Sequence, residues 1–165
     1  MSDLPEFIID REFNAPRDLV WAAWTTPEYL ARWYGPGVET VIHQFDLAPE
    51  GLWLNEMRMA SGANFQKMVF KEVIAPERLV WHHCSADADW NVVANPMMPD
   101  WPRVLLTTVT FDEDAGRTNV RLSQTPLDAT DAEIACFAEM KDGMAGGWGK
   151  GYELVDELLG QLTDG

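Results

Sequence analysis

Residues 129–162 read ATDAEIACFAEMKDGMAGGWGKGYELVDELLGQL and predict one long helix. Thr130, with Glu133 three residues later, matches a capping box at its start. Apolar residues recur at helical spacing and form a stripe within about 120° of the helix surface. Its members are Phe137, Met140, Met144, Trp148, Gly151, Val155, Leu158 and Leu162. Such a stripe needs an apolar surface to cover. Gly147 and Gly151 would let the helix lie close on a sheet; alternatively they permit a kink or leave space for a ligand.

Upstream of this helix, alternating apolar and polar residues predict strands separated by short turns. Residues 6–13 alternate in this way, with Phe7, Ile9 and Phe13 on one face. Six further candidate strands follow later in the chain, at 38–47, 51–60, 64–75, 78–85, 103–112 and 117–125. Because most connections are too short for parallel crossovers, we expect an antiparallel meander.

Two short helices are predicted between the first and second strands. Asn14-Ala15-Pro16 and Thr26-Pro27-Glu28 carry helix-start signals, and Gly35-Pro36-Gly37 ends the second helix. The predicted fold is therefore α+β, a curved seven-stranded antiparallel sheet wrapped around the long C-terminal helix. A cavity is expected wherever side chains of the sheet and the helix fail to fill the space between them.

Composition excludes several classes of protein. The chain has 165 residues, which predicts a single domain over 1–165, and 12 Lys+Arg against 27 Asp+Glu give a net charge of −15. This acidity argues against binding nucleic acid or an anionic membrane surface. Cys84 and Cys136 belong to no pairing or metal pattern, and residues 1–10 show no signal peptide. We therefore expect a reduced, cytoplasmic protein.

Residues 11–36, REFNAPRDLVWAAWTTPEYLARWYGP, form a specific motif, and later segments extend it. These segments are Pro76-Glu77-Arg78-Leu79-Val80, Val109-Thr110-Phe111, Thr118-Asn119-Val120-Arg121-Leu122, and Gly143-Met144 with Gly147-Trp148. Together they resemble the bacterial proteins similar to the C-terminal domain of the Hsp90 ATPase activator. The resemblance implies the helix-grip fold of the START-like (Bet v 1-like) superfamily. That family includes co-chaperone domains, bacterial proteins of unknown role and proteins that sequester small molecules.

No catalytic or cofactor fingerprint is present, and neither a metal nor an organic cofactor is expected. His82-His83-Cys84 suggests a metal site, but on a strand His82 and Cys84 share one face while His83 points to the other. His83 shares its face with Leu79 and Trp81. It could be a polar anchor or acid–base group in an apolar pocket, or a hydrogen-bonded interior histidine.

Glu56 and Glu72 are the carboxylates within strand patterns that could do acid–base work if buried. The simplest interpretation is that both face solvent.

Eight Trp and eight Met exceed what a core of this size requires. Each residue alone is more simply interpreted as core, but as a set they suit an adaptable apolar pocket. The predicted ligand-binding residues are Trp53, Met57, Met68, Phe70, Trp81, His83, Trp90, Trp101, Met140, Met144 and Trp148. Met59 falls on the same predicted face.

Residues 86–102 are irregular, yet contain Trp90, Met97, Met98 and Trp101. We expect this segment to gate the entrance of the cavity. Alternatively it is a patch for a partner or for homodimerisation.

Three functions remain open from the sequence. The first is non-catalytic binding of a small hydrophobic or aromatic molecule between sheet and helix. The second is a protein-interaction module of the Hsp90-activator kind. The third is a cyclase- or hydrolase-like enzyme that uses the same cavity.

Overall fold

A computed structural model describes residues 4–35, 37–60, 62–95 and 98–164, with side chains through residue 162. The elements, in chain order, are β1 Phe7–Phe13, α1 Arg17–Thr25, α2 Pro27–Trp33, β2 Glu39–Phe45, β3 Leu52–Met59, β4 Gly62–Ile74, β5 Arg78–Ala86, β6 Val104–Asp114, β7 Arg117–Pro126 and α3 Asp131–Asp164. The predicted order of strands and helices is confirmed.

The seven strands form one antiparallel sheet in the order β1-β7-β6-β5-β4-β3-β2. The register shifts between Ile42 and Gln44 in β2 and between Phe70 and Glu72 in β4. Such irregularities bend and twist strands, and the sheet curves around α3. This is the predicted helix-grip fold, and we call the face towards α3 the concave face.

The core lies between the concave face and the second half of α3. Tyr152 packs its ring edge against Phe13 of β1, with ring centroids 5.3 Å apart. Trp24 of α1 contacts Trp33 of α2 at 4.7 Å, and the Trp33 indole donates a hydrogen bond to the carbonyl of Ala23. Trp24 also contacts Tyr152 at 6.3 Å, so α1 and α2 are held to each other and to α3.

Burial along α3 differs from the predicted stripe at both ends. Tyr152 and Leu159 are buried although the stripe omits them, whereas Met140 is 43% exposed. The reason is that α1 and α2 pack beside the second half of α3 and widen its buried face, while the first half beyond Phe137 has looser cover.

The start of α3 is the predicted capping box. The Thr130 hydroxyl accepts from the Glu133 backbone N–H at 3.1 Å, and the Glu133 carboxylate accepts from the Thr130 N–H at 2.9 Å. The start of α1 is different, because Pro16 occupies the cap position and makes no side-chain cap bond. The Glu113 carboxylate, from β6, accepts the Arg17 N–H instead, at 2.6 Å.

The hairpin between β6 and β7 is tighter than predicted. Residues Asp112–Asp114 continue β6, and the loop is only Ala115 and Gly116, with φ of 55° and 79°. Two positive φ values are typical of the two-residue turn that matches strand twist. No helix among the described residues is long and apolar enough to span a membrane.

Candidate functional site

A cavity of about 200 Å³ lies between the concave face and the middle of α3. Gln66 and His83 from the sheet line one side, and Met144 and Trp148 from α3 line the other. Its remaining lining residues are Tyr34, Asn64, Ser85, Asn95, Trp101, Leu105 and Gln124.

The sheet side of this cavity is polar but uncharged. Gln124 donates from Nε2 to the Thr107 hydroxyl at 3.1 Å, and the Tyr34 hydroxyl donates to Gln66 Oε1 at 3.3 Å. None of the described lining residues is Lys, Arg, Asp or Glu. Small-molecule sites commonly combine apolar walls with a few polar groups that orient the ligand, and this cavity has that composition.

His83 presents a neutral ring to the cavity. Burial lowers its pKa to about 4, because the charged imidazolium would lose its hydration. The Trp81 indole N–H donates to His83 Nδ1 at 3.3 Å. Since Nδ1 of the neutral ring then acts as the acceptor, the ring proton is on Nε2 and is available as a hydrogen-bond donor.

Asn55 is a polar residue on the concave face with no exposed surface. Neither its amide nitrogen nor its amide oxygen has a hydrogen-bond partner among the described residues. An unsatisfied buried polar group costs about 1–3 kcal/mol. The buried amide is therefore a destabilising feature of the fold.

Two clefts adjoin the cavity and share residues with it. The first, of about 240 Å³, lies between the end of α2 and α3; Met57, Gly147 and Gly151 line it together with Trp33, Tyr34, Gly35, Met144 and Trp148. The second, of about 300 Å³, has Asn95, Met98, Trp101, Met140, Gly143 and Met144 as its lining. Met144 lines all three spaces. The cavity and the first cleft are each below the roughly 300–1,000 Å³ of typical ligand sites, and a ligand of that size would need to occupy more than one of the three adjoining spaces.

The eleven predicted site residues fall into three groups. Six line the cavity or its clefts: Met57, His83, Trp101, Met140, Met144 and Trp148. Four lie on the concave face but are almost fully buried in the packed core and line none of the three spaces: Trp53, Met68, Phe70 and Trp81. Trp90 lies elsewhere.

Trp90 packs on the opposite face of the sheet. Its ring lies 5.4 Å from those of His43 and Phe65. Phe65 alternates with Asn64 and Gln66, which line the cavity, so its side chain points outwards. Strand alternation could not place this loop residue.

The rest of the 86–102 segment divides between core and cleft. Trp101 packs on Phe137 of α3 at 5.5 Å, and Met98 lines the second cleft. Met97, the remaining apolar residue of the predicted gate, lies outside the described residues.

The other candidate groups lie outside the cavity and its clefts. Glu56 accepts from His43 at 2.7 Å and from Arg58 at 3.0 Å, which lowers its pKa. Glu72 pairs with Arg78 at 3.6 Å, and Met59 is exposed near the end of β3. Within the described ranges, no three His, Cys, Asp or Glu side chains are grouped to hold a metal ion.

Sequence reasoning missed most of the polar lining. Gln66 lies on the same face of β4 as the predicted Met68. A polar residue in this otherwise apolar pattern was a sequence signal that could have identified it as part of the site. No such signal was available for Tyr34, Asn95 and Gln124. They lie on three different parts of the chain, the end of α2, the 86–102 segment and β7, which come together only in the folded protein.

Fold and site together define a helix-grip protein with a cavity between sheet and α3 whose described lining carries no Lys, Arg, Asp or Glu. The family model described as Activator of Hsp90 ATPase homolog 1-like protein matches residues 14–160, and the chain belongs to this family. No curated protein matches the chain in sequence.

Several solved structures of bacterial proteins share the fold. Protein Ms6760 from Mycobacterium smegmatis is 23% identical, covers 96% of each chain and superposes with a TM-score of 0.77. A protein from Arthrobacter aurescens is 25% identical with a TM-score of 0.78, over 94% of this chain and 86% of the other. A Rhodobacter sphaeroides protein is 19% identical with a TM-score of 0.76, over 95% and 93%.

Proposed function

We propose that this protein binds a small hydrophobic or aromatic molecule in the cavity between its sheet and α3, without catalysing a reaction. The observation that carries the proposal is the set of three adjoining spaces around Met144, which are apolar towards Trp33 and Trp148 and polar towards Gln66 and His83. The apolar walls would supply affinity, and the polar groups on the sheet side would orient the ligand. The role would be carriage, sensing or sequestration in the cytoplasm.

Filling the apolar cleft tests the proposal. A Cβ atom added at Gly147 meets no heavy atom within 4 Å, so a leucine side chain can enter the cleft that this residue lines. We expect Gly147→Leu to weaken binding of naphthalene at least about tenfold, because the added side chain occupies the volume of the ligand. Tryptophan fluorescence and isothermal titration calorimetry measure the binding.

Gly146→Leu is the matched control. Gly146 is also exposed on α3 with open space at its Cβ, but it lines none of the three spaces described above. Both variants gain the same helix propensity over glycine. Equal affinity in Gly147→Leu and Gly146→Leu, or no binding by the unmodified protein, would contradict the proposal. Native mass spectrometry of the protein purified from cells gives an independent readout through a retained small molecule.

A second candidate function is interaction with an Hsp90-type chaperone, which family membership favours. It predicts that the protein stimulates the ATPase of the Hsp90 from its own cell. Absence of stimulation at saturating protein would count against it. Homodimerisation through the 86–102 segment stays a prediction, and analytical ultracentrifugation tests it.

Catalysis in the same cavity has less support. A histidine whose pKa is lowered to about 4 is a weak base near neutral pH. No carboxylate is among the described lining residues to assist it.

A further inference from the structure

Asn55 is a buried side chain whose hydrogen-bonding capacity the rest of the described chain does not use. Its exposed fraction is 0%, and both polar atoms of the amide lack a partner among the described residues. Folded proteins satisfy the great majority of buried polar groups. An amide with a donor and an acceptor both unused therefore points to a function other than packing.

Asn55 lies next to the polar side of the cavity. In the sheet register its neighbours are Ile42 on β2 and Gln66 on β4, and Gln66 lines the cavity. Asn55 lies on the concave face between Trp53 and Met57, two residues away in each direction. The side chain thus belongs to the same surface as the cavity lining.

Tyr34 covers this part of the sheet. Its ring lies 5.0 Å from that of Trp53, its hydroxyl contacts Gln66, and its carbonyl accepts from the Thr40 hydroxyl at 2.6 Å. Trp53 and Gln66 flank Asn55 on the concave face, so the ring and hydroxyl of Tyr34 span this part of the sheet. Tyr34 also lines both the cavity and the apolar cleft and forms the wall between them.

Tyr34 is 6% exposed and its ring packs against the rings of Trp33, Trp53 and Trp148, whereas its hydroxyl is held loosely. Its hydroxyl-to-Gln66 distance of 3.3 Å exceeds the usual ~2.7–2.8 Å of an O–H···O bond. The next residue, Gly35, has φ of 77°, a conformation open to glycine. Rotation of the Tyr34 side chain would join the cleft to the cavity and expose the Asn55 amide.

The joined space disfavours a charged ligand. Its described walls carry no Lys, Arg, Asp or Glu side chain, so an ionised group would lose hydration without a counter-charge. A carboxamide or lactam, by contrast, has one N–H donor beside one C=O acceptor, the complement of an asparagine amide.

We propose that the ligand is an uncharged aromatic molecule with a carboxamide or lactam edge, and that the Asn55 amide pairs with this edge once Tyr34 rotates away. The Asn55 amide nitrogen donates to the ligand carbonyl, and its oxygen accepts from the ligand N–H. The aromatic part occupies the apolar cleft beside Trp148. This inference rests on the proposed function and adds the chemical class of the ligand.

Four naphthalene probes of similar shape test the ligand class by isothermal titration calorimetry. They are 2-naphthamide, 2-acetylnaphthalene, which keeps the carbonyl but lacks the N–H, 2-naphthoate, which is charged, and naphthalene. We expect 2-naphthamide to bind at least about tenfold more tightly than each of the others, because only it satisfies both polar atoms of Asn55.

Asn55→Leu removes the amide at nearly constant size and should reduce the affinity for 2-naphthamide to that for 2-acetylnaphthalene. Replacing an unsatisfied buried amide by an apolar group is compatible with folding. Asn14→Leu is the matched control, since Asn14 is exposed and lies outside the cavity. In the unmodified protein, the Asn55 side-chain NH₂ signals in a ¹⁵N–¹H spectrum should shift on addition of 2-naphthamide.

Two results would overturn this inference and leave the proposed function standing. One is binding of naphthalene and 2-naphthamide with equal affinity. The other is an unchanged preference for the amide in Asn55→Leu, with no shift of the Asn55 NH₂ signals. If none of the four probes binds, the proposed function fails together with the inference. Should Asn55→Leu not fold, the NMR shift in the unmodified protein decides.

Discussion

His83 is a half-buried side chain whose desolvation should make stability depend on pH. Its cross-strand neighbours are Met68 and Leu105, and Met144 and Trp148 of α3 line the cavity that it faces. None of these four side chains titrates. Desolvation is therefore the cause that lowers the pKa of His83 to about 4 from an ordinary 6.5.

The free energy of unfolding should fall as the pH falls from 6.5 towards 4. In this window the unfolded chain binds a proton at His83 more readily than the folded chain does, so acid favours unfolding. The slope from this one group is at most about 1.4 kcal/mol per pH unit. Urea denaturation at several pH values measures it, and NMR titration of the ring gives the pKa directly.

His83→Gln isolates this contribution, because glutamine keeps a hydrogen-bond acceptor for Trp81 without titrating. His82, whose pKa burial also lowers, and the carboxylates remain in both proteins and cancel in the difference. The difference in the free energy of unfolding between the wild type and His83→Gln should change between pH 6.5 and 4.5. A constant difference would refute the lowered pKa of His83.

At the scale of elements, α3 consists of two parts with different packing. Around Gly147 the helix borders open space, whereas at Gly151, one turn later, it lies against α2. A Cβ atom at Gly151 would be 3.3 Å from the Trp33 carbonyl oxygen and 3.4 Å from its ring. The glycine-rich segment thus combines two of the roles that the sequence left open. Gly151 allows close packing of α3, here against α2, and Gly147 leaves space beside the helix.

Gly151→Leu should destabilise the protein by about 1–3 kcal/mol, since overpacking against α2 outweighs the gain in helix propensity. Gly146→Leu, facing open space, should be as stable as the unmodified protein or more so. Urea unfolding midpoints at constant m measure both. Equal midpoints for the two variants would mean that α3 and α2 are less closely packed than described.

Residues distant in sequence also determine where helices begin. The capping box of α3 lies within four consecutive residues and was predicted from them. The α1 start relies on Glu113, which is 96 residues from Arg17 in the chain and reaches it only through the position of β6. Local start signals identified the helix but not the group that satisfies its first N–H.

For the whole molecule, the net charge of −15 produces self-repulsion that opposes the compact state. The surface ion pairs, such as Arg121 with Asp10 at 2.9 Å, are exposed and contribute little each. Raising NaCl from 10 to 300 mM shortens the Debye length from about 30 Å to below 10 Å. We expect the melting temperature at neutral pH to rise over this range.

Differential scanning calorimetry measures this shift. KCl at the same concentrations should give the same rise as NaCl, because screening depends on ionic strength rather than on the identity of the ion. A melting temperature that falls with salt would show that attractive ion pairs, rather than net repulsion, dominate the surface electrostatics.

The sequence by itself determined the seven strands, the three helices, their order and the family. Periodicity, capping signals and turn residues are local, and each is legible within a few residues. The same information placed His83 on the concave face and Met144 and Trp148 on the helix face that meets it.

Only the tertiary structure decided which of the predicted residues border empty space and which are packed core. It placed Trp90 on the opposite face, brought Tyr34 and Gln124 to the cavity, and left the Asn55 amide without a partner among the described residues. The physical reason is that a cavity is the volume that side chains from several elements leave unfilled. That volume depends on sheet register, curvature and helix approach together, which no single stretch of sequence contains.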